Sequence, residues 1–454
     1  MNLRIKKWLE KLDQFEKILV HMPSIMYCGK LIGINGLVLE VSGLKLPIGT
    51  ICIVEKNNSI LDSDMIEAEV IGFRRNLLLL LLLSNVSDLT ADSKVTPKIL
   101  NGSYYNINKL PVCDKLLGRI VDGLGKPLDN FSKIDSKYNV SLTNVSINPL
   151  HREPVTHVLD TGIRSINGLL TIGRGQKIGL FASSGLGKSV LLGMMTRYTQ
   201  ADIVILSLIG ERGREVKEFI DSVLTETVLS RSIVISAPSE SSVLMQTRGA
   251  IYAMRIAEYF RDKNFHVLLI MDSLTRYAMA HREISLSIGE LPVSKGYPPS
   301  VFSKLFSLIE RAGNGKINSG SITAFFTVLT EEEERYDPIS ESARSILDGH
   351  IILSREYAES GHYPAINIEN SISRVMPNIV DSSHYSFACH FKKIVSLYQR
   401  NRDLINVGAY ISGTDPDLDM AITLIPKLNK FLQQGMLEKS NFLDSKKSLY
   451  SLFN

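Results

Sequence analysis

One segment constrains this chain more than any other. An apolar run, Lys177 to Phe181, leads into Ala182-Ser183-Ser184-Gly185-Leu186-Gly187-Lys188-Ser189. Apolar residues, then closely spaced glycines, then a helix start form the pattern of a phosphate-binding loop between a strand and a helix. Gly185 and Gly187 let backbone N–H groups converge on phosphate oxygens, and the positive end of a helix opening at Lys188 attracts the same anion. Lys188 reaches the terminal phosphates, and the Ser189 hydroxyl joins the shell of a bound Mg²⁺. Ser183, Ser184, Gly185, Leu186, Gly187, Lys188, Ser189 and Val190 are therefore the expected nucleotide-binding set. Ala182 stands where the strict pattern has glycine.

At 454 residues the chain is long enough for about three domains. Its formal net charge of +4 argues against general electrostatic attraction to nucleic acid or membrane. Cys28, Cys52, Cys113 and Cys389 are far apart and form no CxxC pair. That spacing speaks for reduced cytosolic thiols rather than disulfides or zinc. Arg4, Lys6 and Lys7 resemble the start of a signal peptide, but Glu10, Lys11, Asp13 and Glu16 interrupt any apolar core. The leucine run Leu77 to Leu83 is far shorter than the roughly 20 residues that span a bilayer. It reads as a buried strand beneath the nucleotide domain.

Four regions follow from the periodicity. Residues 1–22 read as an amphipathic helix with Ile5, Trp8, Leu9, Leu12, Phe15 and Leu19 on one face. Residues 23–95 carry short β-type runs, Gly36–Val41 and Thr50–Glu55, punctuated by Gly43, Pro47, Gly49 and Asn57-Asn58, as in a small β-barrel. Residues 96–380 alternate apolar strands (Lys177–Phe181, Asp202–Leu208, Ile233–Ser236, Val267–Met271, Ile322–Leu329 and His350–Leu353) with helical patterns such as Glu215–Leu229 and Gly249–Arg261. That alternation marks an α/β domain with a mainly parallel sheet. Residues 381–454 lose the β signal and read as helices, Phe391–Asn401 and Leu418–Gln434, joined by Gly413-Thr414-Asp415-Pro416.

Hydrolysis needs a metal shell, a group that orients water and a cation for the developing charge. His266 to Asp272 is an apolar strand ending in a carboxylate, which places Asp272 at the ligand crevice beside the Mg²⁺ of Ser189. Asp272-Ser273 also suits a helix cap, and the two roles are compatible. Glu211, in Gly210-Glu211-Arg212 after another apolar strand, can polarise an attacking water. A charged loop after a strand is unremarkable by itself. Spacing assigns no role to Arg374 or Tyr363, and without further support they read as a surface arginine and a packed tyrosine. The acidic run Glu331–Glu334 reads as a solvated loop, and the nine histidines show no ligand spacing.

Several further segments carry a family likeness. Leu117-Gly118-Arg119-Ile120-Val121-Asp122-Gly123 through Asp129, Gly210-Glu211-Arg212, and Ile256-Ala257-Glu258-Tyr259-Phe260-Arg261-Asp262 resemble segments of the rotary F- and V-type ATPase catalytic subunits. Gly296-Tyr297-Pro298-Pro299-Ser300-Val301-Phe302, Gly361-His362-Tyr363-Pro364-Ala365 and Ser371-Ile372-Ser373-Arg374 are more specific. Together they resemble the ATPase of flagellar type III protein export, a relative of those subunits. Ala182 suits that branch, whereas Ser183 and Leu186 depart from it. The resemblance spans essentially the whole chain, from the Trp8 helix to Phe431-Leu432-Gln433-Gln434-Gly435.

The likeness implies a RecA-like P-loop nucleotide domain with an N-terminal small β-barrel and a C-terminal helical domain. It implies ATP and Mg²⁺, and catalytic roles for Lys188, Glu211, Arg212 and Arg374. Arg374 would be an arginine finger supplied to a neighbouring subunit, Tyr363 would stack on adenine, and Phe442 would cover the other face of the base. It also implies a homohexamer in the cytoplasm, peripheral to the inner membrane at the export gate. Its partners would be a stator-like regulatory protein at the N-terminal helix, a central stalk protein, and export chaperones and substrates. An injectisome ATPase of the same branch and a rotary subunit are the alternatives. A non-catalytic subunit would lack Glu211. An RNA translocase would want a basic, aromatic first domain, and residues 23–93 hold only Tyr27 and Phe73 as aromatics.

Deleting residues 1–20 is expected to weaken ring assembly or partner capture. Unchanged sizing and pull-down profiles would contradict that expectation.

Overall fold

The structure, a computed structural model, describes Trp8, Leu12 and residues 27–55, 65–83, 89–100, 103–104, 109–135, 138–142, 147–317, 319–330 and 337–453. The helix expected over 1–22 lies outside them except for Trp8 and Leu12, both helical, and so do Asn57-Asn58 and Glu331–Glu334.

Six antiparallel strands form the first unit: β1 (Gly29–Asn35), β2 (Val38–Ser42), β3 (Ile51–Glu55), β4 (Met65–Arg74), β5 (Leu77–Leu82) and β6 (Lys94–Pro97). They close into a barrel in the order β1-β2-β5-β4-β3-β6. Closure satisfies every edge, so the barrel offers no free strand for aggregation. The leucine run is β5, and its lack of alternation has a simple cause. Side chains of a strand point alternately to opposite faces. Leu78 and Leu80 face the barrel core with Leu31, Val41 and Val54, while Leu79 and Leu81 pack outward with Val38, Ile51 and Leu244. Both faces are dry because the second runs against the nucleotide domain.

The central sheet has nine strands. Eight follow the order β7-β10-β9-β11-β12-β8-β13-β14, and Gly313–Asn314 pairs with β12 as the ninth. They are β7 (Ile120–Asp122), β8 (Lys177–Ala182), β9 (Ile203–Ile209), β10 (Ser232–Ala237), β11 (His266–Asp272), β12 (Ser321–Leu329), β13 (Gly349–Leu353) and β14 (Ile366–Ser373). From β7 to β13 every pairing along this order is parallel, and β14 joins antiparallel. Strands β8 and β9 are buried along their whole length, as expected where helices cover both faces of a parallel sheet. The principal helices here are α1 (Lys188–Tyr198), α2 (Gly213–Val223), α3 (Val243–Asp262) and α4 (Leu274–Ile288). The single helix expected over Glu215–Leu229 is two, because the chain leaves helical geometry at Leu224 and Thr225 before Glu226–Leu229.

Three helices close the chain: α5 (Ser382–Asn406), α6 (Pro416–Leu432) and α7 (Phe442–Tyr450). Helix α5 contains the expected Phe391–Asn401, and α6 covers the expected Leu418–Gln434 up to Leu432, where Gln433 leaves helical geometry; α7 was not expected. Asp381 caps α5 by accepting the His384 N–H at 3.2 Å. His384 Nε2 lies 2.8 Å from the carbonyl of Gly168 and ties this helix to the nucleotide domain. No helix among the described residues is long and apolar enough to cross a membrane.

His281 of α4 has a buried Nε2 with no hydrogen-bond partner. Burial, with Lys304 and Arg248 nearby, pushes its imidazole from 6.5 down to about 3. Between those values the unfolded chain holds a proton that the native chain refuses, so stability falls as pH falls below 6.5. The slope from this one group is at most about 1.4 kcal/mol per pH unit. His281→Gln is expected to shrink the difference in urea midpoint between neutral and mildly acidic buffer, and an unchanged difference would refute the assignment.

Candidate functional site

Parallel strands deliver their C-terminal ends to one edge of the sheet, where ligands of such folds bind. Here that edge carries the ends of β8, β9, β11 and β12. Leu208 pairs with Asp272, Met271 with Phe326, and Ala182 with Leu329. The loop after β8 turns through Gly185 and Gly187, both at φ 82°, a region that L side chains rarely adopt. Leu186 is buried in the core and anchors the loop, while Ser184, Gly185, Ser189 and Val190 are exposed. The Thr330 N–H donates to Ala182 O at 3.1 Å and holds the loop's first residue.

Lys188 opens α1 and turns its ammonium into the sheet edge. Its Nζ lies 3.0 Å from Glu211 Oε1 and 2.7 Å from Asp272 Oδ1. The Thr327 hydroxyl donates to the same Asp272 oxygen at 2.6 Å. All three ionisable side chains are largely removed from solvent. Burial pulls the lysine pKa down, but the facing carboxylates of Asp272 and Glu211 outweigh it, so the ammonium is held above its usual range. Asp272 is pushed up by burial, with Lys188 opposing and Glu211 adding to the rise. Glu211 is set by its neighbours. A Cβ on Gly210 would lie 2.7 Å from Arg276 Cβ, so the arginine stem packs directly on the backbone before Glu211. The Ser239 N–H donates to Glu211 O at 2.9 Å.

The carboxylate of Asp272 and the exposed hydroxyl of Ser189 are hard oxygen donors. They suit Mg²⁺, which takes one or two protein carboxylates and completes its shell with substrate phosphates and water. No group of three or more His, Cys, Asp or Glu residues among the described residues could hold a metal alone. One carboxylate and one hydroxyl fit a metal that arrives with a phosphate.

The other expected residues are placed as follows. Tyr363 is 45 % exposed, and its ring lies 3.3 Å from where a Cβ on Gly187 would sit, directly over the loop. The Gln434 N–H donates to Tyr363 O at 3.0 Å, and Gln434 Nε2 donates to Gly162 O at 2.9 Å, so the helical region holds Tyr363 in place. Arg212 stays outside the cluster. Its side chain is 81 % exposed, with Nε 3.9 Å from Glu215. Phe442 packs on the His384 ring at 5.7 Å. Arg374 lies at the opposite edge of the sheet. Its N–H donates to Asp348 O, and the Asp348 N–H donates to Lys177 O, where β8 begins. The whole of β8, about 16 Å of strand, separates it from the chain's own loop.

Sequence reasoning missed Thr327 and Arg276. The signal for Thr327 was a lone hydroxyl near the end of the apolar strand Ser321–Leu329. For Arg276 there was none, because its contact with Gly210 joins residues 66 positions apart.

The chain as a whole is similar to known proteins. A family model described as ATP synthase alpha/beta family, nucleotide-binding domain, matches residues 162–373. Another, described as T3SS EscN ATPase C-terminal domain, matches residues 380–451. A flagellum-specific ATP synthase of Buchnera aphidicola subsp. Acyrthosiphon pisum is 58% identical over 453 residues, covering 100% of this chain and 97% of the relative. The assembled ATPase EscN of the enteropathogenic E. coli type III secretion system superposes with a TM-score of 0.86 at 41% identity, over 94% of this chain and 100% of that one. EscN in complex with its central stalk EscO superposes at 0.83 and 40% identity, with the same coverage.

Thr327→Val is expected to raise the Mg²⁺ concentration for half-maximal ATPase activity several-fold, since Asp272 would lose its one neutral donor. Titration of Mg²⁺ at saturating ATP checks this, and an unshifted midpoint would remove Thr327 from the site.

Proposed function

The chain belongs to the flagellum-specific ATP synthase branch of the ATP synthase alpha/beta family, and from that premise we propose how this ATP hydrolase works in flagellar type III protein export. The observation that carries the reading is the shared ammonium of Lys188, held between Glu211 and Asp272 at the end of a phosphate-binding loop.

Backbone N–H groups from Ser183 to Val190 cradle the ATP phosphates, Lys188 neutralises the terminal ones, and Tyr363 stacks on the base. Asp272 and the Ser189 hydroxyl would hold Mg²⁺, which would supply charge neutralisation at the phosphates. Glu211 accepts a hydrogen bond from the attacking water and orients it toward the γ-phosphorus. The new P–O bond forms as the bond to the β–γ bridging oxygen breaks, leaving ADP and phosphate, and the proton of the water is released toward Glu211. Arg212, exposed next to Glu211, is the further cation we assign to the γ-phosphate.

The position of Arg374 supports a ring. An arginine at the far edge of the sheet cannot serve its own loop, yet it suits the loop of a neighbour in a cyclic arrangement. We assign the chain as a homohexamer in which Arg374 completes the adjoining site. The ring would sit in the cytoplasm, peripheral to the inner membrane at the export gate, and unload chaperone-bound substrates. A stator-like protein would bind at the N-terminal helix. A central stalk protein would engage the helical region, where Leu404, Val407 and Ile411 are exposed around the turn after α5. The relative at 58% identity is named for the flagellum and the injectisome ATPase stands at 41%, which favours the flagellar system.

Mg²⁺-ATPase activity measured across protein concentration, for wild type and Arg374→Ala in parallel, tests the shared site. Activity per subunit should rise with concentration for wild type. It should stay flat and on the order of 10²-fold or more lower for the variant. Equal activities would remove Arg374 from catalysis.

A further inference from the structure

Asp272 leads directly into one long helix, the backbone of Glu211 is bonded to the segment leading into another, and the barrel contacts both helices. Helix α4 starts immediately after Asp272. Ser273 caps it by accepting the Arg276 N–H at 3.2 Å, and the Ser273 N–H donates to Ile209 O at 3.3 Å, next to Gly210 and Glu211. Its 15 residues form a rod about 22 Å long. At the far end the chain turns through Gly289, φ 96°, and Arg74 of β4 donates from Nη2 to Ile288 O at 2.5 Å. A Cβ on Gly289 would lie 2.7 Å from that guanidinium nitrogen, so the cation lies against the helix end. A cation there satisfies a carbonyl that the helix leaves open and complements its dipole.

Helix α3 is held by the same barrel wall. Its cap, Ser242, donates its hydroxyl to Leu83 O at 2.9 Å. Arg248 pairs with Glu69 of β4, a carboxylate only 2% exposed. The backbone N–H of Ser239, just before α3, holds the carbonyl of Glu211. Strand β4 therefore contacts both helices, and the segment leading into each helix hydrogen-bonds the backbone at or beside Glu211.

We propose that β4 is a strut that sets the catalytic geometry, with Arg74 and Glu69 as positioning residues acting through α4 and α3. The seating of the barrel on α3 and α4 fixes where Glu211 and Asp272 stand relative to Lys188. Neither Arg74 nor Glu69 touches nucleotide, so their loss acts on turnover rather than on binding. The proposal rests on Glu211 and Asp272 being the catalytic and metal carboxylates.

The test uses the full chain and Arg74→Ala, chosen because the Arg74 side chain is exposed and its removal leaves the core intact. Arg74→Lys and Glu211→Gln run beside it. Expected for Arg74→Ala is a roughly three- to tenfold loss of kcat, an unchanged KM for ATP and an unchanged particle size. Arg74→Lys, which keeps a cation at the helix end, should restore at least half of that loss. A kcat equal to wild type, a loss confined to KM, a loss accompanied by smaller particles, or no rescue by lysine would each overturn the strut. Should Arg74→Ala fail to fold, Arg74→Gln takes its place under the same criteria. If Glu211→Gln retains wild-type turnover, the reading of the site itself falls. If it is inactive while Arg74→Ala is unchanged, only the strut falls.

Discussion

Lys188 stands between two carboxylates that could not share a dry sheet edge without it. Two acidic groups brought together in a buried place repel each other, and each loses hydration on leaving water. A single ammonium, 3.0 Å from Glu211 and 2.7 Å from Asp272, offsets both costs. The rest of the molecule serves that arrangement. The loop presents the lysine at the start of α1, β9 presents the glutamate and β11 presents the aspartate. Thr327 fills a further acceptor site on Asp272, leaving that oxygen well satisfied.

Holding three side chains from separate segments to hydrogen-bond tolerance requires rigid elements behind them. The parallel sheet is the first support, since its pairings carry Ala182, Leu208 and Asp272 to a common edge. The covering units are the second. The barrel caps one flank through Leu79, Leu81 and Leu244, and the helical region holds the other through Gln434 and His384. Buried hydrogen bonds of this kind add little net stability each, but their directionality specifies one seating among many. That property suits units that must keep a catalytic edge in register.

Much of this architecture was legible along the chain because the physics is local. Fully buried parallel strands must be apolar throughout, so Ile203–Ile209, His266–Asp272 and Ser321–Leu329 stand out as runs. Two glycines with positive φ before a lysine announce the loop for the same reason, since other residues would be strained there. The leucine run was readable as a dry strand, but not as one whose two faces serve different cores. The break at Leu224 and Thr225 escaped notice because apolar periodicity continues across it while the backbone does not. The separate helix α7 escaped as well.

What the sequence determined alone is the inventory: a strand–loop–helix for phosphate, two carboxylates after apolar strands, a small barrel before them and helices after. Those signals depend on neighbours within a few positions, so a linear reading recovers them. The tertiary structure decided which of these groups meet. Lys188, Glu211, Asp272 and Thr327 span 139 positions, and only the strand order brings them within hydrogen-bond reach. The same order sends Arg374 to the opposite edge, because β14 runs antiparallel to β13 and ends where β8 begins. Contacts such as Arg74 with Ile288 and Arg248 with Glu69 carry no local pattern, since a surface cation looks the same in sequence whether or not a helix end lies across from it.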